Sequence, residues 1–344
     1  MFTIGGIRPF IVALGDGKKM CKGVTATLLP PIACGRTLDY SITSFNQVRL
    51  PPAAMLGDTR KPADMRFQFL MAINRLGFGT LALSLAAISG LKCATFIVGK
   101  YSLRRMVCAA PILHALAESA VMEPFAKWIT AQFSDTLLDF SVRYALAVIF
   151  KGSVLQYTQK SFANLLERCG AQGVFIYNHI AEGEILVLCI CLATEILLSR
   201  YNIPKAINPN LLIANIYEGH RSEVYNNCIL PHCRPMILTI GHRMAYNAAV
   251  SSGIDSDLLT LYEAGMVKTN FSCRADQFEI ECKAADALLL RLDRLLDGLY
   301  TIEPYITAPI ISVKRWETFV GERETVKGDA SFDITDMIDT RCKL

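Results

Sequence analysis

Asp39 to Gly57 reads DYSITSFNQVRLPPAAMLG, and the texture of the chain changes across it. Before it lie short runs of β-branched residues broken by glycines, and Ser41 to Leu50 alternates in the same way until Pro51-Pro52 stops it. After it, from Asp64 onward, apolar residues recur at spacings of three and four over long spans with few prolines. These spans are 65–100, 112–132, 135–167 and 184–200. The reading is a mainly α protein with a small β part at its start. Upstream of the stretch, Arg8 to Leu14 is a short β-type run and Gly15-Asp16-Gly17-Lys18 a turn. Gly23 to Leu29 is then a second strand. Downstream, 205–300 continues as helices. Asp255 to Ala264 and Glu279 to Leu296 are the clearest of these, the second stopped at Asp297-Gly298. Residues 324–344 are polar and charged and read as an extended tail.

The bulk numbers exclude several classes. With 344 residues, 52% of them hydrophobic and 19% charged, the chain has ample material for a core and does not read as disordered. Thirty-five basic against 31 acidic residues, with no basic stripe, argue against nucleic acid as a partner. The apolar stretches Leu76–Val98 and Ile185–Leu198 are interrupted by glycine and charge or are too short. They read as buried helices rather than membrane spans, and the chain as a soluble protein. The N-terminus lacks the charged and apolar regions of a secretory signal. The 12 cysteines form no CxxC pair and read as free thiols in a reducing compartment. Cys228, His232 and Cys233 lack a second matching pair, so no metal site is expected.

Several segments, in order, resemble the acyl-CoA oxidase and acyl-CoA dehydrogenase family, in a fungal-type branch. Gly6 to Val12 and Gly23-Val24-Thr25 resemble strands of its middle β-domain, and Asp39 to Gly57 resembles the exit from that domain into the C-terminal bundle. Asn74-Arg75-Leu76 and Tyr101 to Arg105 resemble the first long bundle helix with its Tyr-x-x-x-Arg ending. Cys169-Gly170-Ala171-Gln172-Gly173 resembles the family's Cys-Gly-Gly-x-Gly loop, and Ala181-Glu182-Gly183-Glu184 its Glu-Gly catalytic loop. Residues 307–320, TAPIISVKRWETFV, are similar to the tail of the fungal-type branch.

The resemblance implies a remnant of the middle β-domain over 1–60 and a helical bundle carrying flavin and catalytic loops over 61–202. A second helical region follows over 203–323, then a polar tail with a targeting tripeptide over 324–344. The family's N-terminal helical domain has no counterpart here, so the chain reads as an N-terminally truncated relative. The implied activity is FAD-dependent α,β-dehydrogenation of an acyl-CoA thioester, in peroxisomal β-oxidation or secondary-metabolite biosynthesis. Glu182 is the implied base, since a desolvated carboxylate beside glycine can approach a flavin closely. Acids at 182 and 184 also suit the N-terminus of the helix that follows. Glu184 and Glu218, in Tyr217-Glu218-Gly219, are weaker candidates. Arg105 is the implied contact to the FAD pyrophosphate, and Gly170, Gln172 and Gly173 the implied cofactor loop. Only eight residues separate Gly173 from Glu182, fewer than the family places there. Cys342-Lys343-Leu344 is a variant of the Ser-Lys-Leu peroxisomal address, implying an import receptor as partner. A homo-oligomer or a pairing with a homologue is implied as well. The alternative is a non-catalytic homologue that acts only as an oligomerisation or binding module.

Overall fold

Strand pairing comes first along the chain and helix packing after it. The computed structural model describes residues 8–29, 41–57, 63–72, 74–105, 110–170, 172–173, 185–197, 229–269 and 275–323. Packing divides the chain into two units, Met1–Gly79 and Thr80–Leu344.

In the first unit Val24–Leu28 (β1) and Ser41–Phe45 (β2) pair antiparallel, with Val24 opposite Phe45 and Leu28 opposite Ser41. Only Val24 is buried, so the pair is exposed along most of both strands. The alternation through Leu50 suggests a longer second strand, but the strand stops at Phe45. Gln47 adopts φ 48°, and the Asn46 amide turns to donate to the Gly23 carbonyl. Among the described residues the run Arg8–Leu14 forms one bridge, Phe10 to Met55. Its would-be partner contains Pro51-Pro52, which lack N–H donors, and Pro52–Ala54 winds into a 3-10 turn. The expected turn is present. Asp16 Oδ1 accepts from the amides of Lys18 (2.8 Å) and Lys19 (2.7 Å), which brings Gly15 opposite Met20.

The helices are Met65–Ala72 (α1), Asn74–Arg105 (α2), Ala110–Ser134 (α3), Phe140–Arg168 (α4), Ile185–Leu197 (α5), Ile229–Ser251 (α6), Ser256–Thr269 (α7), Ala275–Leu289 (α8), Leu292–Asp297 (α9) and Val313–Gly321 (α10). Asp139 caps α4 by accepting from the Ser141 amide, and Asp255 caps α7 by accepting from the Asp257 amide. Within the second unit α3 packs against α4, α6, α7 and α8. Its five consecutive residues Ala115 to Ser119 are all buried, as befits a stretch with neighbours on every side. α4 is buried in the same way from Ala145 to Leu155. It packs tightly on α6 at Gly241, where a Cβ would lie 2.8 Å from that of Ser153. One stretch among the described residues, Gly77–Arg105, is long and apolar enough to cross a membrane, and more than half of its apolar window is buried inside the protein.

The helix expected over Glu279–Leu296 is divided. α8 ends at Leu289 and α9 begins at Leu292, because Arg291 between them turns to α7. Its guanidinium donates to Asp255 Oδ2 (2.6 Å) and Oδ1 (2.9 Å) and to Asp257. That fork holds the Asp255 carboxyl below its ordinary range. The stop at Gly298 falls where the sequence places it.

Polar groups are few in this core, and four helices share one cluster. Glu118 on α3 accepts from the Ser161 hydroxyl of α4. Tyr262 of α7 bonds His242 of α6 at 2.6 Å, and the Tyr157 ring of α4 meets the His242 ring edge-on at 4.1 Å. Burial pushes the Glu118 carboxyl up to about 7, against the Ser161 hydrogen bond and the Lys160 charge, and drives His242 down to about 3.

Two outcomes are expected. Gly241→Leu forces a side chain into the α4–α6 contact and should lower the urea unfolding free energy by about 1–3 kcal/mol. Glu118, with its folded pKa above the unfolded value, holds a proton that the unfolded chain loses. Its contribution is therefore intact below the unfolded pKa of about 4.5 and falls as pH rises toward about 7. Urea midpoints at pH 5 and pH 8 should show Glu118→Gln gaining on the parent protein at the higher pH; a constant difference would contradict this.

Candidate functional site

α2 ends in Arg104 and Arg105, cations placed where a helix C-terminus favours them. The two have different surroundings. Arg104 donates from Nη2 to the Ile310 carbonyl at 2.8 Å and from Nε to the Lys100 carbonyl at 3.1 Å, so it fastens the C-terminal segment to α2. Partial burial, with the neighbouring Arg105 charge, lowers its pKa. The Arg105 guanidinium stands 5.5 Å from the centroid of the Tyr101 ring, and its side chain has no hydrogen bond to a described residue.

The end of α4 supplies the second wall. The Cys169 amide donates to the Leu166 carbonyl at 3.0 Å, and Gly170 follows with φ 55°, a backbone that a side chain would strain. Gly173 then passes so close to α4 that a Cβ would sit 2.5 Å from the Leu166 carbonyl oxygen. Both glycines thus serve the turn, and the turn sets Gln172 beside Tyr101 and Arg105.

The third wall comes from 306–316. Arg315 Nη1 donates to the Ile306 carbonyl at 2.7 Å. Ser312 caps α10 by accepting from the Arg315 amide at 3.1 Å. Together these segments enclose a cleft of about 180 Å³, lined by Tyr101, Arg104, Arg105, Gln172, Ile310, Ser312, Val313 and Trp316. No acidic side chain lines it. Two guanidinium groups, an amide and the N-terminal end of α10 give it a positive potential suited to phosphate oxygens. The donor set fits the pyrophosphate of FAD, and the volume is that of the phosphate-bearing part rather than of a whole dinucleotide.

Of the residues singled out by sequence, Arg105 and Gln172 therefore meet, and Gly170 and Gly173 shape the turn between them. Glu182, Glu184, Glu218 and the tripeptide Cys342-Lys343-Leu344 lie outside the described residues. Ser312, Val313 and Trp316 had no role assigned from sequence, although a serine opening an amphipathic run is a capping signal. Among the described residues no group of three His, Cys, Asp or Glu side chains is placed to hold a metal ion.

Two solved structures share this arrangement of elements. Acyl-CoA oxidase 1 of Yarrowia lipolytica superposes with a TM-score of 0.64 over 97% of this chain and 67% of its own length, at 13% identity. Acyl-CoA oxidase 3 of the same yeast does so with a TM-score of 0.66 over 94% and 68%, at 12% identity. The chain has the acyl-CoA oxidase fold. No family profile matches it, and no curated protein matches it in sequence, so the likeness is one of fold. Within the acyl-CoA oxidase fold of this chain, the arginine-lined cleft brings together three segments that are far apart in sequence.

Arg105→Ala should weaken binding of inorganic pyrophosphate about tenfold or more, the loss expected for a charge-assisted hydrogen bond of roughly 1.5–3 kcal/mol. Calorimetric titration at low salt measures it. Equal affinity in the variant would remove Arg105 from the site.

Proposed function

We propose that the chain is an FAD-dependent oxidoreductase that dehydrogenates an acyl-CoA thioester between its α- and β-carbons. The observation that carries the reading is the arginine-lined cleft set within an acyl-CoA oxidase fold. There Arg105 and Gln172, 67 positions apart, converge on the capped end of α10. Bound FAD supplies the acceptor for two electrons, a chemistry no side chain provides. Arg105 and Gln172 hold its phosphate charge, with Arg104 keeping the far wall in place through the Ile310 carbonyl. Glu182 is the proposed base that takes the α-proton. Its placement relative to the cleft governs rate steeply, since a misplacement of about 1 Å costs about a hundredfold.

The same reading includes an acyl-CoA substrate, assembly as a homo-oligomer or with a homologue, and import into peroxisomes by a receptor that reads Cys342-Lys343-Leu344. A role in fatty-acid breakdown or in tailoring a secondary metabolite follows from that substrate class.

The purified protein is expected to carry a yellow chromophore with flavin absorption, or to acquire it from added FAD. Acyl-CoA should bleach that absorption, and Glu182→Gln should abolish the bleaching while leaving flavin bound. A protein that neither carries nor takes up FAD is not this enzyme, and the non-catalytic reading then replaces it. Unchanged bleaching in Glu182→Gln moves the base to another carboxylate, with Glu218 the first to substitute.

A further inference from the structure

Four helices of the second unit enclose a second crevice, of about 650 Å³, which shares no lining residue with the arginine-lined cleft. Its polar wall is built by His114 and Glu118 of α3, Tyr157 and Ser161 of α4, Tyr262 of α7 and Glu281 of α8. Most of these groups have defined partners. His114 Nε2 lies 3.0 Å from Glu281 Oε1, and the Tyr262 hydroxyl 2.6 Å from His242 Nδ1. Glu118 is 4% exposed and accepts from the Ser161 hydroxyl through Oε2. Its Oε1 is buried with no hydrogen-bond partner among the described residues. Leaving such an atom unmet is unfavourable, so a polar ligand group that reaches it through the crevice Glu118 lines would be held there.

We propose that this crevice binds a small, uncharged, polyhydroxylated molecule of sugar or cyclitol size, with one hydroxyl meeting Glu118. The volume lies within the range of small-molecule sites, roughly 300–1,000 Å³, and far exceeds the ~30 Å³ share of a single water. Charge selects the class. Lys160, exposed at the crevice, opposes an organic cation, while Glu281 and Glu118 oppose an anion. Donors and acceptors both line the wall, with the Tyr157 and Tyr262 side chains among them as partly apolar groups. A carboxyl that burial brings to titrate near neutrality occurs there in both protonation states. A hydroxyl satisfies both, accepting from the acid and donating to the carboxylate.

Calorimetric titration of the full chain with myo-inositol and with glucose tests the proposal, with choline chloride and sodium acetate as charged counterparts. Saturable binding of a polyol is expected, weakened about tenfold or more by Glu118→Leu, the loss of a hydrogen bond to a buried acceptor. Asn164→Trp, a change at an exposed lining residue, should abolish binding by filling the mouth. That variant decides the matter if Glu118→Leu does not fold. Absence of saturable polyol binding overturns the proposal. So does binding of choline or acetate in place of the polyols, and so does polyol affinity that survives Asn164→Trp.

Discussion

Burial of the first half of α3 is the constraint from which the second unit follows. Between Ile112 and Met122 nearly every residue is buried, so this half needs neighbours on all flanks, and α3 draws on α4, α6, α7 and α8. Side-chain size along it is mixed, with Ala115, Ala117 and Ala126 letting neighbouring backbones in and Met122, Phe125 and Ile129 filling the space between. The charges of its second half, Glu123 and Lys127, reach solvent, whereas Glu118 lies in the buried half. Glu118 is therefore either a liability or a functional group, and the Ser161 hydroxyl meets only one of its oxygens.

Much of this was legible in the sequence, for a physical reason. Spacing at three and four reports which face of a helix is buried, and α2, α3, α4 and α5 fall close to the spans it marks. What spacing does not carry is a decision taken by distant residues. Nothing between Glu279 and Leu296 announces a break, because the break exists for Arg291 to reach Asp255 and Asp257. Likewise the alternation from Ser41 to Leu50 continues past the point where Gln47 turns the chain. The candidate site divides in the same manner. Arg105 and Gln172 were found by resemblance to a family's loops. The contribution of Ser312 and Trp316 appears only when the end of the chain is folded against α2. The position of Glu182, on which catalysis would turn, lies outside the described residues.

The two cavities of the second unit differ in how their charge is arranged. The smaller one gathers guanidinium groups without a carboxylate, so its field has one sign and favours an anion before contact is made. The larger one mixes carboxyl, imidazole, hydroxyl and ammonium groups, so its long-range field is weak and selection rests on hydrogen-bond geometry. Within one acyl-CoA oxidase fold the two linings would thus discriminate by different means, one by charge and the other by shape.

Arg104 and Arg315 both spend their guanidinium bonds on main-chain carbonyls, those of Ile310 and Ile306. A carbonyl is common to every residue, so this clasp is blind to what side chains the segment carries. Ile306 and Ile310 answer only to packing, and any apolar residue of similar volume leaves the attachment intact. The segment can drift in sequence while its path across the end of α2 stays fixed. Distant relatives would then share the contour of this wall long after their letters had ceased to match.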